Sequence, residues 1–476
     1  MLPVKARLLS VWDDVRSSYW FLPSLMAVGA AVLSVLVIQA DAAIGPEWID
    51  EVSWLYGNKP AGARAVLSAI AGSMIGVAGV TFSITIASVV YASGQYGPRL
   101  LANFMDDRGN QITLGTFIAT FLYCLLVLRT IRGADEGTGP GGVGEFVPHI
   151  AVLTALGLAV ASVGVLIFFI HHVPESIHVS NVIAGVGREL GRRVDTLFPE
   201  RIGTGTPPAG AGFDGAGRDG ARATVPPAFF DEAARIAADG SGYVRAVDAD
   251  ALLRAATEHD LVVRVRHRPG DFVTEGDALV LAWPPDRAGA AADGLRQAFA
   301  WGRQRTARQD VHFLVNELVE IAARALSPGV NDPFTAVSCL DWLGAMLKRL
   351  AGRDFPAAER FDEGGALRVV ARPTTFDEFV GGVFGQLRPY LAADRNAALH
   401  ALKTLGEVAG QATAPGQRAL LREHADALLE GAEAALTVEA DREDVRRRHR
   451  TLVRLLGGRV SYEEATAETA WIGGTA

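Results

Sequence analysis

The sequence predicts an α-helical integral membrane protein with four transmembrane helices, followed by a mixed cytoplasmic region: a small β-rich module, then an α-helical bundle. Three observations predict it. Four apolar runs lie before residue 175, where the hydrophobic excess of the chain is concentrated (mean hydropathy +0.21). Residues 242–283 carry short alternating segments separated by Gly, Pro and Asp turns. Beyond residue 293, amphipathic helical spacing returns.

Residues 1–19 place Leu8, Trp12, Val15 and Tyr19 at helical spacing beside Lys5, Arg7 and Arg16. That pattern reads as an interfacial N-terminal helix, or equally as a frayed, charged terminus. A transmembrane domain is expected over 20–172, with spans at about 21–40, 65–91, 114–128 and 147–170. Ala40-Asp41-Ala42 has a small-x-small pattern, but the polar lead is too long for a cleaved signal, so the first span stays.

The second span, Ala65 to Tyr91, contains no Asp, Glu, Lys or Arg. Gly72, Gly76 and Gly79 occupy its first half, and Thr81, Thr85 and Ser88 its second. Small residues at this spacing admit a neighbouring backbone. They fit a tightly packed bundle core, or self-association about a symmetry axis with the hydroxyls lining a pore. The helix should continue through Gln95 until Pro98 stops it. Gln95, Arg99, Asp106, Asp107 and Arg108 then form an inner mouth: either they hold the turn at the interface or they form a vestibule that sets ion preference. In the third span Thr116, Thr120 and Tyr123 share a face, and the fourth ends at His171-His172. Adjacent histidines on a helix point about 100° apart, so the pair suits polar interfacial positions better than one metal. The basic lead and acidic first loop place both chain termini in the cytoplasm, with Arg129 and Arg132 a mild contrary signal.

A connecting helix is expected over 173–200 and a flexible Gly/Pro-rich linker over 201–228. The β-rich module covers 229–284. Within it, Pro269 to Val280 resembles the hairpin of biotinyl-lipoyl hybrid folds without the modifiable lysine, which excludes a swinging-arm carrier. The helical domain covers 293–460, beginning with a long helix from Gly294 to Ala325. Ser327, Pro328, Asn331 and Asp332 belong to an SPGVNDP turn. Asp332 can cap the next helix with Pro333 at its first position, and the loop equally suits presentation to a partner or ligand. Residues 461–476 are expected to be a disordered tail.

Composition excludes several classes. Net charge −8 gives no support to nucleic-acid binding. Two cysteines make no disulfide framework. No H-E-x-x-H, G-x-S-x-G, Walker A or dinucleotide fingerprint occurs, so no cofactor and no enzymatic constellation is expected. His312, Asn316, Glu320 and Arg324 form one polar helical stripe, with no nucleophile or metal set beside it.

Ala92-Ser93-Gly94-Gln95-Tyr96-Gly97-Pro98-Arg99-Leu100-Leu101, Asp107-Arg108, Leu114-Gly115-Thr116-Phe117 and the Tyr123 to Arg129 segment carry a resemblance. Phe169-Ile170-His171-His172, Gly242-Tyr243-Val244, Arg268 to Val273 and Ser327 to Pro333 extend it. The chain resembles a bacterial family of predicted membrane proteins, domain of unknown function 2254. The resemblance implies a multi-span part and a large cytoplasmic C-terminal region in the inner (plasma) membrane. It brings no activity, so no catalytic residue is carried over. The resulting expectation is an oligomeric, channel-like or transport protein with a cytoplasmic regulatory domain, its partners being membrane lipid, copies of itself and an unidentified solute or ion. The alternatives are a membrane-anchored binding or scaffolding protein without a pore, and a membrane enzyme.

Overall fold

The computed structural model describes residues 18–44, 59–97, 107–133, 146–198 and 228–467. The expected N-terminal helix (save its last two residues), Arg99, Asp106, the 201–228 linker (save its last residue) and the end of the tail lie outside the described residues, as does the side chain of Gln95. The chain divides into two compact units, one holding the apolar helices and one beginning at Val182.

The first unit is an up-down-up-down bundle of α1 (Phe21–Ile44), α2 (Pro60–Tyr96), α3 (Arg108–Leu128) and α4 (His149–Ile177). All four are long and apolar enough to cross a membrane. Each is longer than its apolar run at one end or both, because helical hydrogen bonding continues past the apolar stretch. At 37 residues, α2 would reach about 55 Å against a hydrocarbon core of about 30 Å. The central helix is α3, whose apolar stretch is more buried than that of any of the other three. Tyr123, Cys124 and Val127 of α3 join Ala30 of α1, Ala63, Leu67 and Ala71 of α2, and Ala151 and Ala155 of α4 in one cluster. Apolar side chains such as Val160, Ile167 and Ile170 of α4 cover the outside, which suits a lipid-facing surface.

The far end of the bundle is closed by a carboxylate that sequence placed in a loop. Asp41 sits in the last turn of α1, buried, and accepts from the backbone N–H of Ile150 at 2.9 Å and of Ala151 at 2.8 Å. It thereby caps α4, where orphan N–H groups and the helix dipole both favour an anion.

The second unit begins within α5 (Val179–Leu197), the helix that follows α4 in the chain after His178. Strands β1 (Ala234–Ala237), β2 (Gly242–Val247), β3 (Val262–Val265), β4 (Phe272–Val273), β5 (Ala278–Trp283), β6 (Phe299–Gly302), β7 (Glu359–Phe361) and β8 (Leu367–Val370) form two sheets. Their orders are β1-β5-β3-β8-β7 and β4-β2-β6. Two expectations change here. The β module does not end at residue 284, because β6 to β8 join its sheets. The segment from Pro269 to Val280 is not a hairpin, since β4 pairs with β2 while β5 pairs with β1 and β3. Helices α6 (Ala249–Glu258) and α7 (Pro285–Gln297) cover the sheets through Leu252, Ala256, Ala288 and Leu295.

The single long helix expected from Gly294 to Ala325 is broken. It becomes the end of α7, then β6, then α8 (Val311–Ala325). Phe299 and Trp301 stack at 5.8 Å and pair with β2, a long-range gain that overrides local helical spacing. Asp310 restarts the helix, its carboxylate accepting from the Phe313 N–H at 3.2 Å. The helical half continues through α9 (Pro333–Ala351), α10 (Phe376–Val380), a π turn (Gly381–Gly385) and α11 (Gln386–Ala392). It ends with α12 (Arg395–Ala409), α13 (Pro415–Ala435), α14 (Glu439–Leu456) and α15 (Tyr462–Ala467). The last helix occupies part of the stretch expected to be a disordered tail, with Ala465 buried. Four residues of the basic run Arg446 to Arg450 form ion pairs, Arg446 with Glu433 and Glu439, Arg447 with Asp444, His449 with Asp426 and Arg450 with Glu443, while buried Arg448 donates to Leu399 O at 3.3 Å.

Candidate functional site

At the end of the bundle where α3 begins and α4 finishes, Asp107 caps α3 by accepting from the Gly109 N–H at 2.7 Å. The same carboxylate lies 2.8 Å from His172 Nε2. Gly109 makes this approach possible, since a Cβ there would fall 2.6 Å from Nε2. Phe168 stacks on the imidazole at 4.9 Å. His171 points elsewhere, towards Glu175 at 3.4 Å, and is highly exposed, so the two histidines take different partners.

Behind this pair the first turns of α3 bury Asn110, Gln111 and Thr113. Thr113 donates to its own helix at Gly109 O, 2.8 Å away. The Asn110 Oδ1 is buried and accepts no hydrogen bond among the described residues. Met74 and Ala78 of α2 share a cluster with Phe117 of α3. In this antiparallel pair that register sets Thr81 and Thr85 level with the first turns of α3. Both threonines are buried, and their hydroxyls donate to Ala78 O and Thr81 O at 2.9 Å. Deeper in the bundle, the Thr120 and Ser162 hydroxyls share a 3.1 Å hydrogen bond between α3 and α4. The result is a polar lane inside an apolar bundle, densest at one end.

The second-span residues thus divide. Ala63, Leu67, Ala71, Met74, Ala78, Thr81, Thr85 and Val89 form the inward stripe of α2. Gly72, Gly76 and Gly79 lie on the exposed side, and a Cβ on any of them would meet nothing within 4 Å. Ala65, Ala69 and Ser83 extend that small-residue lane. Ser88 is half-buried. One face of α2 therefore does not carry both the glycines and the threonines. Of the expected inner mouth, Asp107 joins the polar cluster and Arg108 is exposed. Asn110, Thr113, Ser162 and the partnership of His172 with Asp107 were not singled out from sequence.

In the second unit the SPGVNDP turn is built by its own backbone. The Asn331 N–H donates to Ser327 O at 2.9 Å, and Asn331 adopts φ +52°. Asp332 accepts from the Thr335 N–H at 3.2 Å and from its hydroxyl at 2.6 Å, capping α9. Pro328, Val330 and Phe334 are exposed around it. On α8, His312 stacks on Phe379 at 4.3 Å, Asn316 accepts from Gln386 and Glu320 pairs with Arg324 at 3.8 Å. The stripe is an interhelical and surface face.

Four helices long and apolar enough to cross a membrane, with a polar interior, followed by a mixed sheet and helix region, are the architecture of a predicted multi-span membrane protein with a large polar extension. The chain belongs to the family described as predicted membrane protein (DUF2254), whose model matches residues 16–407. It is similar to the uncharacterized protein Rv1290c of Mycobacterium tuberculosis, with 30% identity over 443 residues, covering 91% of this chain and 80% of the relative. The uncharacterized protein Mb1321c of Mycobacterium bovis matches with the same identity and coverage. No solved structure matches the chain.

Proposed function

We propose that this membrane protein assembles into a homo-oligomer and passes a small solute or ion through the polar interior of each four-helix bundle. The end bearing His172 and Asp107 faces the cytoplasm in this reading, and the second unit serves as a cytoplasmic regulatory or assembly domain. The observation that carries the proposal is Asn110 Oδ1, a buried acceptor without a donor among the described residues, set level with the hydroxyls of Thr81 and Thr85. An unsatisfied amide in an apolar bundle costs several kcal/mol, on the order of a lost hydrogen bond or more, unless a water or cation visits it. Hydroxyls that close on their own helix can turn to such a visitor and return. The exposed glycine lane of α2 supplies the assembly surface, because it lets a second backbone approach where larger side chains would hold it off.

The test is reconstitution of the full chain in liposomes, with potassium, chloride and proton flux measured separately. Asn110→Leu should cut the conducted species at least tenfold with the oligomer unchanged by light scattering. Wild-type vesicles no leakier than empty ones would remove the pathway, and a monomer in lipid would remove the assembly.

A further inference from the structure

A recess of about 560 Å³ opens between α5 and α9 in the second unit, outside everything described so far. Its floor depends on two glycines one turn apart on α5. A Cβ at Gly187 would fall 2.3 Å from the Trp342 ring, and one at Gly191 would fall 3.1 Å from an Arg349 guanidinium nitrogen. Their absence lets an indole and a guanidinium of α9 lie directly on the α5 backbone. Arg188 and Arg192, also one turn apart, rise from α5 at the rim.

The charge of this recess runs against that of the chain. Arg188, Arg192 and Arg349 line it against a single lining carboxylate among the described residues, Asp195, in a protein of net charge −8. Glu189 answers Arg192 at 2.6 Å and Arg193 at 2.7 Å, and Asp195 answers Arg349 at 3.1 Å and Arg353 at 2.6 Å. Arg188 is exposed and has no carboxylate partner among the described residues. Three lining guanidiniums against one lining carboxylate, with Arg188 unanswered among the described residues, leave an excess of donors converging from two helices. Guanidinium forks match a phosphate, whose several oxygens accept from more than one of them at once. Trp342 and Met346 give the same recess an apolar wall. The volume lies in the range of small-molecule sites, about 300–1,000 Å³.

We propose that this recess binds a phosphate-bearing small ligand, its phosphate held by Arg188, Arg192 and Arg349 and its flat or apolar portion set against Trp342. The shared chemistry has two sources, a soluble nucleotide or an anionic lipid headgroup. The second is within reach by chain connectivity, since Arg188 follows the last residue of α4 by eleven positions. The site does not depend on a pathway through the bundle, and binding and flux are measured separately.

The experiment uses the full chain in neutral detergent and two probes, adenosine triphosphate and dioctanoyl phosphatidic acid, with dioctanoyl phosphatidylcholine as the uncharged control. Binding is followed by calorimetry at two salt concentrations. Saturable, salt-weakened binding of either phosphate probe is expected, and the probe that binds names the source. Arg188→Ala should weaken it about tenfold, the scale of one charge-assisted hydrogen bond, and Arg188→Lys should restore part of it. Because Arg188 is exposed and pairs with no carboxylate among the described residues, its loss leaves the fold intact, which the melting curve checks. No saturable binding of either probe, or equal affinity in Arg188→Ala and wild type, overturns the proposal.

Discussion

His312 should make the second unit lose stability as pH falls below neutrality. Burial, with help from the nearby charges of Arg268 and Arg305, pushes its imidazole down to about 4 from an ordinary 6.5, while Glu378 acts in the opposite direction. Nε2 is buried 3.9 Å from Glu378 and makes no hydrogen bond among the described residues. The neutral ring is therefore the folded form. Above pH 6.5 both folded and unfolded chains hold it neutral, and the stability is fully present. Between 6.5 and 4 the unfolded chain takes up the proton and the folded one does not, so stability falls by about 1.4 kcal/mol per pH unit, about 3 kcal/mol in all. Below 4 the loss levels off. Asp310 close by is held above the usual carboxylate range chiefly by burial, and its effect has the opposite sign. It is present in both proteins of a comparison and cancels. The comparison is His312→Phe, which keeps the stack on Phe379, now at 4.3 Å, and removes the titration. Apparent melting temperatures of full-length wild type and variant should run together above pH 7. They should diverge by roughly 5–10 °C at pH 4, wild type being the lower. Parallel curves across that window would refute the reasoning.

Three further outcomes follow from the bundle. Asp41→Ala removes the carboxylate from two N–H groups at the start of α4 and should cost about 2–3 kcal/mol, read as a lower melting temperature in detergent. Asp41→Asn, with one acceptor oxygen left, should fall between. Gly109→Ala drives a methyl into His172 and should destabilise by about 1–3 kcal/mol, and adding His172→Ala should recover most of that in a double-mutant cycle. Gly76→Leu meets open space within the chain, so the monomer should melt as wild type while the proposed oligomer dissociates by light scattering in lipid nanodiscs. If the oligomer survives that change, the glycine lane is not its interface.

Local chemistry made much of this fold legible. The apolar runs marked α1 to α4, and Asp332-Pro333 marked the start of α9, because hydropathy and capping act within a few residues. Where the decisive partner is distant, the reading stopped short. Phe299 to Gly302 has helical spacing on both sides, and only pairing with β2, more than fifty residues earlier, makes it a strand. Asp107 and His172 are 65 residues apart, and neither spacing nor composition joins them. Asp41 looked like loop chemistry because its partners are the N–H groups of a helix over a hundred residues away.

The division of α2 is a different case, because its signal was in the sequence. Nine residues are two and a half turns of an α-helix, so residues nine apart lie on opposite faces. Gly72 and Thr81 are nine apart, and so are Gly76 and Thr85. A helix cannot turn both members of such a pair to one symmetry axis. The glycines take the exposed side and the threonines the inside of the bundle. This separates two properties that one pore-lining helix would have merged. In the proposed function, assembly acts through the outer lane, and any polar path belongs to the interior of a single chain, shared with Asn110 of α3 and the level of His172 on α4. Gly76→Leu and Asn110→Leu should therefore be separable defects: one protein that conducts without assembling, and one that assembles without conducting. A single loss of both in either variant would mean that the path forms only between copies.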